Sequence, residues 1–210
     1  MMTEREALYQ GASCAAWGYL FLYLDFNLGT VSILPRFAGW LLFLSAVKHL
    51  SARRRDLLLL RPLGILLALW HGADWIASWL GTTLDGWFLP LDLIVGAASL
   101  YFQFQFLTDC AALAAEYQPP DSELDRRLLR WRTIQTVLIT VTTLMSYAAE
   151  FFGDAWSYAT LALTVVSLFA TLCLMAALFS LRKLFAERED SPGFSEGDGQ
   201  RRESHDDTNI

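Results

Sequence analysis

Four acids and one histidine within or beside the long apolar segments of this 210-residue sequence are candidate functional residues. They are Asp25, His71, Asp74, Asp92 and Glu150. A charged group is costly in hydrocarbon, so an ionisable residue in such a segment is a candidate for binding a ligand, an ion or a proton. Carboxylates that meet in a low dielectric cannot all stay ionised. If these acids converge, they must hold protons, surround a cation or be reached by water.

His71, Asp74 and Asp92 are the strongest candidates for a site that binds a small solute or a cation. His71 and Asp74 are three residues apart on one helical face, and they could instead pair only with each other. Asp92 could accept hydrogen bonds from the free backbone at the start of its own helix. Asp25 could close a turn, and Glu150 could simply be hydrated at a helix end. These structural roles remain open beside the binding role.

Motifs for catalysis and for a metal centre are missing. The sequence contains no Gly-rich phosphate loop and no His-Glu-x-x-His pattern. The cysteines Cys14, Cys110 and Cys173 are far apart and lack the spacing of metal ligands. We therefore expect no catalytic residue, no cofactor and no metal, and we expect that the protein is not an enzyme. The remaining enzymatic alternative is a lipid-modifying protein with His71 and Asp74 as an acid–base pair.

The elements that must position these side chains are six apolar segments, most of them long enough to cross a bilayer core of about 30 Å. They lie at about 11–28, 36–51, 62–80, 86–109, 132–152 and 155–181. Hydrophobic residues make up 54% of the chain, and 12 of its 38 charged residues lie in residues 183–210. A soluble enzyme, a disordered protein and a nucleic-acid-binding protein all fit this composition poorly. The sequence predicts an all-α polytopic membrane protein with six transmembrane helices.

Most basic residues lie in or next to every second predicted turn, and this distribution predicts the orientation of the helices in the membrane. They follow the second, fourth and sixth segments, at Lys48, Arg53, Arg54, Arg55, Arg61, Arg126, Arg127, Arg130, Arg132, Arg182, Lys183 and Arg188. The opposite turns contain only Arg36. The positive-inside rule therefore predicts that both termini are cytoplasmic. Residues 1–186 form the predicted six-helix transmembrane bundle, and residues 187–210 form a polar cytoplasmic tail that we expect to be disordered.

Small and polar residues form stripes at helical spacing, which we expect to face inward or to pack helix against helix. On the first helix the stripe is Gly11, Ala15, Gly18 and Asp25, and on the third it is Gly64, Ala68, His71, Asp74 and Ser78. On the fourth helix it is Asp92, Gly96, Ser99 and Gln103. The fifth helix carries Thr136, Thr140, Thr143, Tyr147 and Glu150, and the sixth carries Ala155, Ala159, Ala162, Ala170, Cys173 and Ala177.

The first predicted outer turn carries a recognisable pattern. It reads Asn27-Leu28-Gly29-Thr30, and Leu34-Pro35-Arg36-Phe37-Ala38-Gly39 follows shortly after. This Asn-x-Gly-Thr…Leu-Pro-x-x-x-Gly pattern resembles the opening of an uncharacterised family of small multi-pass bacterial membrane proteins. The resemblance implies a location in the bacterial cytoplasmic (inner) membrane and no particular chemistry.

A second resemblance is architectural. The first helix contains Ala12-Ser13-Cys14-Ala15-Ala16, which matches the small-residue spacing of a helix face used for docking a partner. In size and helix number the chain is similar to the substrate-capture subunits of energy-coupling-factor transporters. That similarity implies a transporter subunit that docks onto another membrane protein.

Two functional hypotheses follow. The first is a membrane protein that binds a small solute or cation, as a transporter or transporter subunit, in an outward-facing polar cavity around His71, Asp74 and Asp92. The second is an accessory or scaffold protein that acts through helix–helix contacts with partner membrane proteins. The expected partners are the lipid bilayer and, under the second hypothesis, another membrane protein. No interaction with nucleic acid is expected.

Overall fold

The computed structural model describes residues 4–23, 27–28, 31–32, 35–82, 84, 88–152 and 154–187. Its six α-helices are α1 (Glu4–Tyr23), α2 (Arg36–Leu50), α3 (Leu60–Trp79), α4 (Leu89–Tyr117), α5 (Leu124–Phe152) and α6 (Asp154–Glu187). A 3-10 turn at Arg55–Leu59 leads into α3. Two short strands, β1 (Asn27–Leu28) and β2 (Val31–Ser32), pair antiparallel between α1 and α2. The prediction of an all-α fold with six helices is confirmed, apart from this small ladder.

The helix boundaries differ from the predicted segments, mainly at α1, α4, α5 and α6. The fourth helix continues to Tyr117 rather than ending near residue 109. The first helix begins at Glu4 and ends at Tyr23, so Leu28, expected in this helix, lies in β1. The fifth begins at Leu124 rather than near residue 132, and the sixth continues to Glu187. The predicted segments were delimited by hydropathy. A helix is held by backbone hydrogen bonds, so it can continue into polar sequence. Acidic residues such as Glu4 also favour a helix start.

Three helical segments are long and apolar enough to cross a membrane, among the residues that the structure describes. They are Arg55–Trp79, Leu89–Tyr117 and Tyr158–Ala186. The second helix has 15 residues and a length of about 22 Å, which is less than a typical bilayer core. These three segments are consistent with a membrane protein. The count of six spans and the cytoplasmic termini remain predictions.

The helices form an antiparallel ring in which each packs against the next and α6 packs against α1. Between α2 and α3, for example, Leu44 lies beside Gly64 and Phe37 beside Trp75. The ring closes where Trp17 of α1 meets Phe179 of α6 with ring centroids 6.0 Å apart. We call the end with the start of α1 and the end of α6 the terminal end, and the opposite end the distal end.

The first two helices make the closest backbone approach. A Cβ atom added at Gly18 would lie 3.2 Å from the Gly39 carbonyl oxygen, and one added at Gly39 would lie 3.0 Å from the Gly18 carbonyl oxygen. Near the terminal end, a Cβ atom at Gly11 would lie 2.7 Å from Leu50. Small residues permit such contact between membrane helices. The pair α1–α2 is therefore tightly packed from Gly11 to Gly18 of α1. Gly11, Ala15 and Gly18 of the stripe expected on the first helix are buried, while Asp25 lies outside the described residues.

Aromatic side chains fill the centre of the ring. Phe43 contacts Tyr19 and Phe106 with ring centroids 5.1 and 5.3 Å apart, and Trp40 contacts Phe102 at 5.2 Å. All five side chains are buried. These aromatic side chains come from α1, α2 and α4. They therefore connect opposite sides of the circle of helices, where the helix backbones stay apart.

Burial divides the bundle into two regions. The packed region consists of α1, α2 and residues 60–68, 102–117, 124–135 and 170–186, and it contains the buried core. The open region consists of residues 69–80, 88–101, 136–145 and 158–169 of α3 to α6, and none of these residues is buried. The sixth helix belongs to both, since Leu178 is fully buried while Leu161 is 63% exposed.

Candidate functional site

His71 lies in the open region on α3 and faces α2. Its imidazole stacks on Trp40 with ring centroids 5.9 Å apart and planes 5° apart. Asp74 and Arg36 lie close enough to act on the imidazole electrostatically. The Nδ1 atom of His71 is buried and has no hydrogen-bond partner within the described part of the chain. The imidazole therefore has a nitrogen available to a ligand and charged neighbours of both signs.

Asp74 has a structural contact that the sequence did not reveal. Its Oδ1 atom accepts a hydrogen bond of 2.9 Å from the backbone N–H of Leu84, which closes the turn after α3. A carboxylate retains further acceptor capacity beyond one such bond. Asp74 therefore fixes this turn in addition to lying beside His71. The alternative that His71 and Asp74 pair only with each other does not account for this contact.

Asp92 lies in the first turn of α4, and its own backbone N–H bonds to the carbonyl of Phe88 at 3.2 Å. Its side chain is half-buried. Within the described residues, no three His, Cys, Asp or Glu side chains are grouped so that they could hold a metal ion. Asp25 and the side chain of Glu150 lie outside the described residues, so their predicted place in the site is not assigned.

The threonine stripe on α5 is not the buried face that we expected. Thr136 is half-buried, while Thr140 and Thr143 are exposed. The buried residue at this level is Gln135, one position earlier and about 100° around the helix. The stripe was identified by spacing alone, which fixes the residues that share a face but not the direction in which that face turns.

A layer of polar side chains crosses the bundle where the packed and open regions meet. We call it the polar layer, and it consists of Tyr23, Gln103, Gln135 and Thr171 from α1, α4, α5 and α6. The Tyr23 hydroxyl donates to Gln103 Oε1 at 2.5 Å, and Gln135 Nε2 donates to Thr171 Oγ1 at 3.0 Å. Gln103, Gln135 and Thr171 are all buried.

Several buried polar atoms at the layer have no partner within the described part of the chain. They are the Tyr19 hydroxyl, Gln135 Oε1 and Ser167 Oγ. The Tyr19 ring is fully buried and stacks on Tyr23 with centroids 5.8 Å apart. Sequence reasoning noted Gln103 on a polar face of the fourth helix and missed the other members. Their common signal is an amide or hydroxyl group in an otherwise apolar segment.

A buried acid outside the candidate site, Asp109, lies in the packed region near the terminal end. Its carboxylate is 3.7 Å from the Arg54 guanidinium, and Gln105 donates to it at 3.4 Å. The adjacent Arg53 pairs with Glu116 and lies 3.7 Å from Glu4. These contacts attach the basic turn after α2 to the end of α4, which gives Asp109 a structural role.

Two grooves lie on the described surface. The first has a volume of about 400 Å³ at the terminal end between α5 and α6, and it is lined by Arg127, Lys183, Ser180 and the acids Asp121 and Glu123. The second has a volume of about 600 Å³ between α2 and α3, and its lining is apolar apart from backbone. Neither groove contains the candidate acids.

Comparison with protein-family models, with curated proteins and with solved structures found no match for this chain. A fold alone does not specify a function, so the functional argument depends on the chemistry of the sites themselves.

Proposed function

We propose that this chain is an integral membrane protein that binds a small solute or cation, as a transporter or a subunit of one. In this proposal all six helices cross a bacterial cytoplasmic membrane, and both termini are cytoplasmic. The binding groups are His71, Asp74 and Asp92, with Glu150 and Asp25 as further members. The observation that carries the proposal is the contrast in burial along α3 to α6, which have buried side chains in their terminal halves and only half-buried or exposed side chains in the described part of their distal halves.

The placement of the ionisable groups supports this function. His71 and Asp74 lie on α3, and Asp92 lies on α4, all within the open region. A polar solute that enters between the distal halves of these helices would meet them before it reached the packed region. Functional ionisable groups in membrane proteins usually face such a bundle interior or a hydrated cavity.

The chemistry of these residues favours an organic cation or a solute with hydrogen-bond donors, because no three of the described His, Cys, Asp and Glu side chains are grouped so that they could hold a metal ion. Two carboxylates supply acceptors, and His71 Nδ1, which has no hydrogen-bond partner among the described residues, supplies one more in the neutral tautomer protonated at Nε2.

The test is ligand-induced stabilisation of the protein purified in mild detergent. We expect at least one cation or small polar solute to raise the unfolding temperature of the wild-type protein. The Asp74→Asn and Asp92→Asn variants should lose that shift. Asparagine keeps a side-chain carbonyl that can accept the Leu84 N–H bond, so the D74N variant should still fold. Asp121→Asn, at an exposed position near the terminal end, is the matched control and should keep the shift.

Two results would contradict the proposal. One is full ligand stabilisation in both D74N and D92N, which would show that the acids do not contact the ligand. The other is a wild-type protein that no cation or polar solute stabilises.

An accessory or scaffold role is the second candidate, and the exposure of small residues on α6 favours it. Ala159 and Ala162 are exposed in the open region, whereas Ala170 and Ala177 of the same stripe are buried. An exposed small-residue face suits close packing with a helix of another membrane protein. Under this role, Ala159→Leu and Ala162→Leu should abolish crosslinking to partner proteins in intact membranes, while D74N and D92N should behave as wild type. Removal of residues 187–210 tests whether the tail contributes.

A further inference from the structure

We propose that the polar layer is a binding site for a small uncharged solute, with a primary amide as the simplest chemistry that fits it. The site lies at the centre of the bundle and uses none of the residues assigned to the proposed function. The inference therefore goes beyond that function and can fail independently of it.

The depth of the layer is the first argument. Gln103 lies 14 residues, or about 21 Å, from each end of α4, and Thr171 lies near the middle of α6. Gln135 comes from a third helix, and the Tyr23 hydroxyl reaches across the ring from a fourth. Four helices therefore place polar groups at one level, in a chain whose other central residues are mainly aromatic or aliphatic.

Unmet hydrogen-bonding capacity is the second argument. Tyr19 is fully buried and Gln135 is 4% exposed, yet the Tyr19 hydroxyl and Gln135 Oε1 have no partner within the described part of the chain. Buried polar atoms are nearly always satisfied in folded proteins, because an unsatisfied one carries its full desolvation cost. A layer built only to hold helices together would use these atoms within the protein. Here they remain available to an occupant.

The types of the available groups identify the chemistry of the occupant. The hydroxyls of Tyr19 and Ser167 can donate to a carbonyl oxygen, and Gln135 Oε1 can accept from an N–H group. A primary amide supplies both. Tyr, Gln, Thr and Ser are neutral, so an ion at this depth would lack a counter-charge and would be strongly disfavoured. The stacked rings of Tyr19 and Tyr23 add an apolar wall for the remainder of the solute.

Access is the third argument. Gln103 and Thr171 are among the first buried residues of α4 and α6 as each helix passes from the open to the packed region, and Gln135 is the last buried residue of α5 before the open region begins. The layer thus forms the floor of the open region. A solute that enters from the distal end would therefore meet the layer before the packed terminal half.

The test compares three amides with their carboxylates on the full chain in detergent. The probes are formamide, acetamide and benzamide against formate, acetate and benzoate at equal ionic strength. We expect a saturable rise in unfolding temperature with at least one amide and none with its carboxylate. Tyr19→Phe and Gln135→Leu should weaken binding of that amide about tenfold or more, the change expected for losing one buried hydrogen bond. Tyr158→Phe, at a position 75% exposed, is the matched control and should bind as wild type.

A second measurement needs no ligand. Gln135→Leu removes the amide but leaves Thr171 satisfied, since its hydroxyl also donates to the Ser167 carbonyl at 2.9 Å. If the layer is a binding site, the unliganded Q135L protein should unfold at the same or a higher temperature than wild type. The proposal is overturned if Q135L unfolds at a clearly lower temperature, if no amide stabilises the wild type, or if carboxylates bind equally well. None of these results bears on D74N or D92N.

Discussion

The two halves of α6 have similar composition and opposite environments. In residues 170–186 the side chains of Leu174, Leu178 and Leu181 are fully buried, whereas in residues 158–169 Leu161 and Val165 are 63% and 59% exposed. Helices α3, α4 and α5 change in the same way along their length. Hydropathy therefore predicts that these residues lie in an apolar environment. It does not predict whether that environment is the interior of the protein or the surrounding lipid. In the open region, apolar side chains can face lipid while the space between helices stays available to a solute.

Leucine truncation in α6 should give the largest effect on this comparison. We expect Leu178→Ala to lower the free energy of unfolding by about 2–5 kcal/mol, because it leaves a cavity in a packed core. Leu161→Ala should change it by less than about 0.5 kcal/mol, because the exposed side chain leaves no cavity. Reversible unfolding in mixed detergent measures both. Equal losses in the two variants would mean that the distal half is also packed and that the division into regions is wrong.

Glycine substitution gives the next largest effect and should have opposite signs in the two regions. The Cβ atom of Gly39→Ala would lie 3.0 Å from the Gly18 carbonyl oxygen, a backbone atom that cannot turn away, so we expect a loss of about 1–3 kcal/mol. At Gly96 in the open region no atom lies within 4 Å of the new Cβ, and alanine should stabilise α4 by about 0.5–1 kcal/mol. Thermal unfolding of both variants measures the signs. A stable G39A protein would show that α1 and α2 can separate.

The smallest effect concerns pH and the turn between α4 and α5 at the terminal end. Gln118 donates to Asp125 Oδ1 at 2.8 Å, and this bond lowers the pKa of the Asp125 carboxyl below its usual value. A lowered folded-state pKa stabilises the fold above the usual pKa of aspartate, and this stabilisation is lost as the pH falls through the folded-state pKa. Both residues are only half-buried, so solvent screens the interaction and the contribution should be less than about 1 kcal/mol.

The measurement is the unfolding temperature of wild type and Gln118→Leu at about pH 6 and about pH 3. We expect the wild type to lose more stability on acidification than Q118L, with Asp125→Asn behaving like Q118L at both values. An identical loss of stability on acidification in wild type and Q118L would show that the bond between Gln118 and Asp125 does not stabilise the fold.

The sequence was sufficient to predict the six helices, because each needs only a continuous apolar stretch with breaks at its ends. It also placed His71 and Asp74 on one helical face, since the spacing of three residues fixes that relation. It could not predict the turn contact of Asp74, which depends on where the chain goes after α3. Nor could it find the polar layer, because the depth and rotation of four separate helices bring Gln135 and Thr171 together.

The stripe on the fifth helix shows that residue spacing alone does not predict the direction in which a helical face points. Thr136, Thr140 and Thr143 do share a face, as the spacing requires, but this face is turned away from the core. Rotation about a helix axis is set by the neighbouring helices. A glutamine one residue before the stripe therefore occupies the place expected for the threonines.

The short second helix has a consequence for the surrounding membrane. With 15 residues, α2 is about 22 Å long, whereas α4 with 29 residues is about 43 Å long. If both helices span the bilayer, the bilayer must become thinner beside α2. On the opposite side of the ring it can keep its normal thickness. Such hydrophobic mismatch deforms the bilayer unequally around one protein and favours membranes or neighbours that match the thin side.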